Sequence, residues 1–214
     1  MLDFSLMVEL LPLYGGAALQ TLALVGLAGL CGLVLGFVLN AVRIFGGPVA
    51  ARVLRVYTAL WRGTPLLAQL FIVYFGLPEL GLALDPFTAA ALALTLYSAA
   101  YFAEIFRASW EAIPAGQIEA ARAMGIARGR CFLHIEMPQA LRLSVPLLTN
   151  QWVLVLKESA LASVITVPEL TMTTTRVVAE RFSYLEPYVL LALSYWGLTL
   201  LVQAIGRYVQ RKTA

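Results

Sequence analysis

The sequence has little charge, and what charge it has is dispersed. Of its 214 residues, 13% are charged and 61% are hydrophobic, whereas about a quarter of the residues in an ordinary soluble domain are charged. The same apolar content excludes intrinsic disorder. Solid apolar runs, rather than alternating apolar and polar residues, exclude a transmembrane barrel. The composition therefore predicts an all-α membrane protein.

The residues that usually form reactive or metal sites are scarce. The two cysteines cannot build a disulfide framework, because Cys31 lies in the first apolar run and Cys131 in a polar loop. His134 is the only histidine, and neither an HExxH nor a GxSxG motif occurs. A GxxxxGK[ST] phosphate loop is missing as well, so the chain has no ATP-binding motif of its own. We therefore expect no catalytic residue, no metal and no cofactor in this chain.

The N-terminal residues lack the basic region of a cleaved signal peptide. They include the acids Asp3 and Glu9 and no early lysine or arginine. We expect the first apolar run to be retained as a helix.

Five apolar stretches approach the roughly 20 residues that a helix needs to cross a bilayer. They lie at about 21–41, 53–77, 86–106, 143–167 and 188–209. An odd number of spans places the two termini on opposite sides of the membrane. The sequence shows no repeat, linker or low-complexity stretch, so we expect one transmembrane domain over residues 1–214.

The basic residues are distributed unevenly between the two sides of these spans. All 15 except Lys157, Arg176 and Arg181 fall near the first and third connections or at the C-terminus. Because cytoplasmic loops carry the excess of lysine and arginine, the pattern predicts an outside N-terminus and a cytoplasmic C-terminus. This distribution explains the formal net charge of +3, and since the basic residues form no cluster we expect no nucleic-acid partner.

Four glycines in the first span recur at steps of three or four residues: Gly26, Gly29, Gly32 and Gly36. Such a strip lets another helix backbone approach closely. The spacing therefore predicts a packing seam. The alternative is that glycine is simply frequent in membrane helices.

The second span contains polar residues at a depth where they are costly. Arg62 lies about 14 Å past the predicted start of the span, and an arginine there costs roughly 2.5–3.5 kcal/mol on insertion scales. Gly63 and Pro65 loosen the helix beside it and free backbone groups, so Arg62 and Thr64 are candidates for binding an anionic group such as a carboxylate. Gln69 extends the same polar face. Alternatively, Arg62 reaches the cytoplasmic interface or joins a structural network.

The fourth span contains a second polar set: Asn150, Gln151, Lys157, Glu158 and Ser159. Asn150 and Lys157 share one helical face, and Gln151 and Glu158 share the adjacent one. Lys157 lies about 21 Å along a core of about 30 Å, in its outer half. The adjacent opposite charges predict a site for a zwitterion. Alternatively, both residues pair with others near the outer interface.

The main polar segment, 113–138, lies on the predicted cytoplasmic side. Pro114 suits the first turn of a helix, residues 117–124 have helix-forming composition, and Gly125 supplies a left-handed stop. A second helical stretch is predicted to end at Pro138. A short helix with small side chains indicates insertion into a groove on another protein, and the alternative is an amphipathic loop that lies on the membrane.

Five segments of this loop follow one another at a characteristic spacing: Glu119-Ala120-Ala121, Gly125, Ile135, Met137 and Pro138. It resembles the signature loop of the membrane subunits of bacterial ABC importers, with Met137 in place of the usual leucine. The stretches 62–71, 100–107 and 157–170 are similar to the polar amino acid branch of these permeases, the histidine, glutamine and arginine type. With Gly116-Gln117 and Asn150, they extend the resemblance over most of residues 20–205.

Two positions depart from the pattern of that family. Ala59 stands where relatives often carry an acid just before the Arg-Gly-Thr-Pro motif. The run Lys157-Glu158-Ser159-Ala160 replaces the commoner Lys-Asp/Asn-Thr-Ser. Both lie near the predicted pathway, so they bear on which substrate is carried and leave the fold unaffected.

The resemblance implies a fold, partners and a location. It implies the type I importer permease fold in the bacterial cytoplasmic membrane, a second permease subunit that is identical or different, two cytoplasmic ATPase subunits that bind ATP and Mg²⁺, and an extracytoplasmic binding protein that delivers a polar amino acid. The loop would contain the coupling helix, whose ATPase contacts would be Gly116, Glu119, Ala120, Ala121, Gly125 and Pro138. The alternative function is a secondary transporter or channel for small zwitterionic solutes, which needs an ion-coupling group in midmembrane and no docking loop.

Overall fold

The computed structural model describes residues 3–213, which are helical apart from short connections and contain no β-strand. The predicted all-α class is therefore confirmed. The helices are α1 (Phe4–Phe45), α2 (Gly47–Gly63), α3 (Leu66–Phe71), α4 (Leu77–Glu79), α5 (Pro86–Glu111), α6 (Ala115–Ala123), α7 (Arg128–Cys131), α8 (Met137–Glu158), α9 (Leu170–Arg181) and α10 (Leu185–Thr213). Two π-helical turns, Ile72–Gly76 and Phe132–Glu136, join α3 to α4 and α7 to α8, and a 3₁₀ helix, Ser159–Ile165, follows α8.

The first helix is much longer than the predicted span at 21–41. α1 has 42 residues, about 63 Å at 1.5 Å per residue and roughly twice the hydrocarbon thickness of a bilayer. Asp3 caps its N-terminus, because its carboxylate accepts hydrogen bonds from the backbone amides of Ser5 (2.9 Å) and Leu6 (3.2 Å). The prediction was too short because it followed only the apolar run, whereas the helix begins before Pro12.

The second predicted span, 53–77, is not one helix. α2 and the helical segment Leu66–Glu79 meet at an angle of 104°. Thr64 has extended backbone angles (φ −120°, ψ 148°), as is usual before a proline, and Pro65 has no amide hydrogen with which to continue the helix. The break lies where Gly63 and Pro65 were predicted to loosen the helix, and the size of the turn is what the sequence did not predict.

The fourth predicted span, 143–167, is also divided. α8 begins at Met137 and ends at Glu158, and the 3₁₀ helix after it ends at Ile165, before Thr166, which has a left-handed conformation (φ 67°). Pro138 was predicted to end a helix and instead lies in the first turn of α8. The π-helical turn Phe132–Glu136 directly precedes α8, and such turns occur where a regular i→i−4 hydrogen bond is missing, as at a proline.

By length and composition, three helices within residues 3–213 can cross a membrane: α1, α5 and α10. The bent pair of α2 and Leu66–Glu79 makes a fourth if it is counted as one span. α8 was expected to make a fifth and does not qualify by this measure, because Arg142, Asn150, Gln151 and other polar residues interrupt its apolar sequence. The structure thus gives three or four such spans rather than five.

The short helix α9 had no counterpart in the sequence-based prediction. Glu169 caps it, since its carboxylate accepts hydrogen bonds from the amides of Thr171 (2.8 Å) and Met172 (2.7 Å). The hydroxyl of Tyr195 in α10 donates to the same carboxylate (2.9 Å). Because Glu169 is fully buried, these bonds fix α9 against α10.

Glycines in α1 form the predicted seam against α5. A Cβ atom added to Gly32 would lie 2.0 Å from Ser98 Oγ, and one added to Gly36 would lie 2.7 Å from Phe102 Cβ. Real Cβ atoms do not come so close to other atoms, so both positions need glycine. The seam lets α1 and α5 form the most extensive helix pair in the chain.

The other two glycines of the strip, Gly29 and Gly26, differ in whether another helix packs against them. A Cβ atom on Gly29 would lie 2.3 Å from the ring of Trp152, so Gly29 lets α8 approach α1. A Cβ atom on Gly26 would have no neighbour within 4 Å. Gly26 therefore lies outside the seam.

Candidate functional site

The loop 113–138 folds around the short helix α6. This helix ends in a Schellman motif, in which the amide of Ile126 donates to the carbonyl of Ala121 (3.0 Å) and the amide of Gly125 donates to that of Arg122 (2.9 Å). Gly125 has φ +74°, so the predicted left-handed stop is confirmed. Glycine adopts this conformation without the steric penalty of a Cβ atom.

Most residues predicted to contact a partner protein are exposed on this loop: Gly116, Glu119, Ala120, Gly125 and Pro138. The exception is Ala121, which is 1% exposed and packs inside the loop. The outer surface of α6 combines the small residues Gly116 and Ala120 with the longer side chains of Gln117, Glu119 and Arg122.

An ion pair between the exposed Arg128 and the buried Glu136 braces the loop. Glu136 is 2% exposed, and its carboxylate accepts hydrogen bonds from Arg128 and from the thiol of Cys131 (Sγ to Oε1, 3.4 Å). The guanidinium carbon of Arg128 lies 5.9 Å from the ring centre of Phe45 at the end of α1. A buried carboxylate is costly unless it is paired, so this contact holds the loop against α1. Burial and the neighbouring Glu136 raise the pKa of the Cys131 thiol, which is therefore protonated at neutral pH.

The exposed histidine contacts its own helical turn. Its ring nitrogen Nδ1 lies 3.1 Å from the carbonyl oxygen of Arg130, and the side chain is exposed. Among residues 3–213, no three His, Cys, Asp or Glu side chains are grouped to hold a metal ion. His134 thus caps its own helical turn.

A cleft of about 630 Å³ lies between α1, α2 and α5. Within it, Nη1 of Arg62 lies 3.7 Å from Oε1 of Glu104, and the guanidinium carbon lies 5.3 Å from the ring centre of Tyr101. Glu104 also pairs with Arg107, which lies three residues further along α5. The cleft thus places cationic and anionic groups side by side.

More arginines than acids line this cleft, as the charged residues show: Arg43, Arg55, Arg62, Arg107, Glu104 and Glu111. Two of the arginines pair with Glu111, since Nη2 of Arg43 lies 3.0 Å from its carboxylate and Arg107 also donates to it. The excess positive charge makes the cleft attractive to an anion.

The sequence-based prediction missed Asn40, which also lines the cleft. Its side chain is 2% exposed, and within the described residues neither its amide nitrogen nor its amide oxygen has a hydrogen-bond partner. Buried polar atoms in folded proteins are nearly always satisfied, so Asn40 offers one donor group and one acceptor to a ligand or to water. The only signal in the sequence was a single amide near the end of an apolar run.

Thr64 and Gln69, two further predicted pathway residues, form hydrogen bonds at the helix break. The side-chain amide of Gln69 donates to the carbonyl of Trp61 (2.8 Å) and to the hydroxyl of Thr64 (2.8 Å). That hydroxyl in turn donates to the carbonyl of Leu60 (2.9 Å). The polar face predicted to run from Arg62 to Gln69 was wrong, because the two residues lie on different sides of the bend and Gln69 satisfies the groups that the bend frees.

The polar set of α8 is divided between two environments. Asn150 and Lys157 are exposed on the face they were predicted to share. Ser159 is buried and donates to the carbonyl of Leu156 (2.7 Å). Glu158 is half-buried, in a small pocket with residues of α3, α5 and the 3₁₀ helix.

The two polar sets do not meet in one pocket. The cleft of Arg62 is lined by α1, α2 and α5, whereas the pocket of Glu158 lies beside α3. Between them on α5, the rings of Tyr97 and Tyr101 pack with centroids 4.8 Å apart.

Residues 32–214 match the protein family described as the inner membrane component of binding-protein-dependent transport systems. The chain belongs to this family. The resemblance found in its motifs is thereby confirmed, and the chain is a membrane component of a transport system rather than an enzyme. The match also confirms the predicted inner-membrane location.

Relatives of this inner membrane component align along nearly its whole length. It is 39% identical to the arginine transport system permease protein ArtQ of Bacillus subtilis, over 99% of this chain and 97% of that protein. It is 37% identical to the glutamine transport system permease protein GlnP of Escherichia coli, over 98% and 97%. It is 33% identical to the L-cystine transport system permease protein TcyB of Bacillus subtilis, over 94% and 86%.

Solved structures share the fold. The chain is similar to one in the crystal structure of an amino acid ABC transporter with histidines, with a TM-score of 0.92 and 34% identity over 99% of both chains. It is also similar to a chain of the inward-facing MetNI methionine ABC transporter, with a TM-score of 0.81 and 22% identity over 96% and 98%. The second likeness supports the fold alone.

Proposed function

We propose that this chain is the permease subunit of an ATP-driven importer that moves polar amino acids across the cytoplasmic membrane. The observation that carries the proposal is the match over 99% of both chains to a chain of an amino acid ABC transporter. Relatives named for arginine, glutamine and cystine transport support the same class of substrate.

The proposed topology has five spans, an outside N-terminus and a cytoplasmic C-terminus. The positive-inside distribution of the basic residues supports the orientation. α8 would complete the five spans although its composition is polar, because it packs mainly against α5 and α10. Polar residues cross a bilayer when they face protein or a water-filled path.

The proposed partners follow from the family and from the missing phosphate loop. Two cytoplasmic ATPase subunits would bind ATP and Mg²⁺, and a second permease subunit, identical or different, would complete the membrane part. An extracytoplasmic binding protein would deliver the amino acid. The description of the family as part of binding-protein-dependent systems supports this assembly.

In this assembly α6 would act as the coupling helix. Its exposed residues Gly116, Glu119 and Ala120 would enter a groove on the ATPase. The side-chain amide of Gln139 donates to Gln117 (2.8 Å) and so links α8 to α6. Together with the pair of Arg128 and the buried Glu136, this link would make α6 move with α1 and α8 instead of bending separately.

The cleft between α1, α2 and α5 would bind the amino acid on its way inward. Arg62 and Asn40 would hold the carboxylate, since one offers a guanidinium and the other an unpaired amide. Glu104 would hold the ammonium group. Thr64 and Gln69 would keep the bend in shape, while Asn150, Lys157, Glu158 and Ser159 would line an outer part of the path.

Uptake into proteoliposomes tests the proposal. The permease is reconstituted with its ATPase and binding-protein partners, and entry of radiolabelled arginine and glutamine is measured with and without ATP on the ATPase side. We expect uptake to require both ATP and the binding protein. Uptake driven by an ion gradient without ATP would instead support the secondary transporter.

A further inference from the structure

An apolar groove lies on the surface of the helix bundle between α1, α8 and α10. Its volume is about 440 Å³, and only Thr149 and Trp152 among its lining residues carry a polar side-chain atom. The hydroxyl of Thr149 is already bonded to the carbonyl of Val145 (2.9 Å). A charged or zwitterionic solute would lose its hydration here without gaining partners, so the groove suits a hydrocarbon chain.

The length of the groove corresponds to one leaflet of a bilayer. On α1 its lining extends from Leu22 to Leu33, which is about 16 Å along the helix. Half of a hydrocarbon core of about 30 Å is about 15 Å. Gly26 widens the groove in its middle, because a Cβ atom there would meet nothing within 4 Å.

Two basic residues lie one helical turn beyond the lining residues at one end of the groove. Val145 of α8 and Val209 of α10 line that end. Arg142 lies three residues before Val145, and Lys212 lies three residues after Val209, so each extends the same helical face by one turn. Both side chains are exposed, and neither takes part in an ion pair within residues 3–213.

We infer that this groove binds one acyl chain of an anionic phospholipid, whose headgroup phosphate contacts Arg142 and Lys212. The assignment to the cytoplasmic leaflet rests on the proposed topology, whereas lipid binding itself does not depend on transport. The lipid fills the space that Gly26 leaves open between α1 and α10.

Trp152 reports occupancy of the groove by fluorescence. The assembled transporter is placed in phosphatidylcholine vesicles with a rising share of phosphatidylglycerol that carries brominated, quenching acyl chains. The signal of Trp152 is obtained by difference from the Trp152→Phe variant. We expect saturable quenching, with half-saturation at a mole fraction on the order of 10-fold below that of brominated phosphatidylcholine, the combined effect of two basic side chains on an anionic headgroup.

Three variants separate the acyl-chain contact from the headgroup contact. Gly26→Leu places a side chain in the groove and should abolish the quenching of Trp152. Gly197→Leu is the matched control, because Gly197 in α10 also has open space beside it and does not line the groove. Arg142→Gln combined with Lys212→Gln should keep the quenching and lose the preference for phosphatidylglycerol.

Equal quenching of wild-type Trp152 by both lipids would overturn the inference. Absence of quenching by either lipid would overturn it too, and would indicate that a second copy or another subunit covers the groove. Amino acid uptake is measured in the same vesicles. Normal quenching without ATP-dependent uptake would contradict the proposed function and leave the lipid site intact.

Discussion

Of the three cleft arginines that contact an acid, Arg62 has the longest such contact. Its contact with Glu104 is 3.7 Å long, and its side chain is 41% exposed. Glu104 and Glu111 have closer partners in Arg107 and Arg43. Removing Arg62 would therefore leave both acids paired, which separates its effect on binding from any effect on folding.

Arg62→Ala should lower the initial rate of amino acid uptake roughly 10- to 100-fold, because a hydrogen bond to a charged group contributes about 1.5–3 kcal/mol. The yield of assembled complex should not change. Initial uptake in proteoliposomes and complex yield are the two readouts. Arg52→Ala, an exposed position of the same helix that does not line the cleft, is the control. Wild-type uptake by Arg62→Ala would show that Arg62 is structural.

Asn40→Leu should weaken uptake without lowering thermal stability. The side chain is buried and neither amide atom has a partner within residues 3–213, so an apolar group of similar shape is close to neutral or stabilising. The midpoint of thermal unfolding and the substrate concentration at half-maximal uptake are measured together.

Thr21→Val is the matched control for Asn40→Leu. Thr21 is equally buried, and its hydroxyl bonds the carbonyl of Ala17 (3.1 Å) and the amide of Leu170 (3.2 Å). It should therefore destabilise the protein and leave the substrate dependence of uptake unchanged. A loss of stability in Asn40→Leu with unaltered substrate dependence would rule out a binding role for Asn40.

At the scale of the helices, the C-terminal end of α6 depends on the left-handed backbone conformation of Gly125. Gly125 has φ +74°, a region that a β-branched residue enters only at a cost of about 1–3 kcal/mol. Gly125→Val should insert into the membrane but uncouple ATP hydrolysis from uptake, measured as amino acid imported per ATP hydrolysed.

Gly129→Val is the control within the same loop. Gly129 lies in α7, and a Cβ atom added there meets nothing within 4 Å. It should keep the wild-type ratio of uptake to ATP hydrolysis. A wild-type ratio in Gly125→Val would refute the coupling role of α6.

The pairing of α1 with α5 tolerates no added volume at Gly36. A Cβ atom there would lie 2.7 Å from Phe102 and 2.9 Å from the backbone nitrogen of Ala103. Gly36→Ala should destabilise the protein by about 1–3 kcal/mol, as overpacking of a tight contact does. Gly16→Ala on the same helix, where a Cβ atom has no neighbour within 4 Å, should show no loss of denaturation midpoint. Equal midpoints for the two variants would contradict the seam.

Across the whole molecule, the structural features that were predicted correctly are those set by residues close together in the sequence. The left-handed end of α6 follows from Gly125, and three of the four glycines in the α1 strip do form close contacts. Each of these features can be predicted from a few neighbouring residues or from the periodicity of a helix.

The features that the sequence did not predict arise from contacts between distant segments. The 104° bend is stabilised by Gln69 reaching back to Trp61. α9 is fixed by the bond between Glu169 and Tyr195. Asn40 can be recognised as a candidate binding residue only from the structure, in which its side-chain amide has no hydrogen-bond partner within residues 3–213. None of these pairings follows from helical periodicity.

The central claim is that the loop around α6 receives the motion of an ATPase on the cytoplasmic side. A photo-reactive amino acid placed at Ala120, which is exposed on α6, tests it most directly in membranes that contain the assembled transporter. We predict a cross-link to the ATPase subunit from this position. The same probe at Phe182, which is 82% exposed and lies on the proposed opposite side of the membrane, should give none. No ATPase cross-link from Ala120, or an equal one from Phe182, would contradict the account.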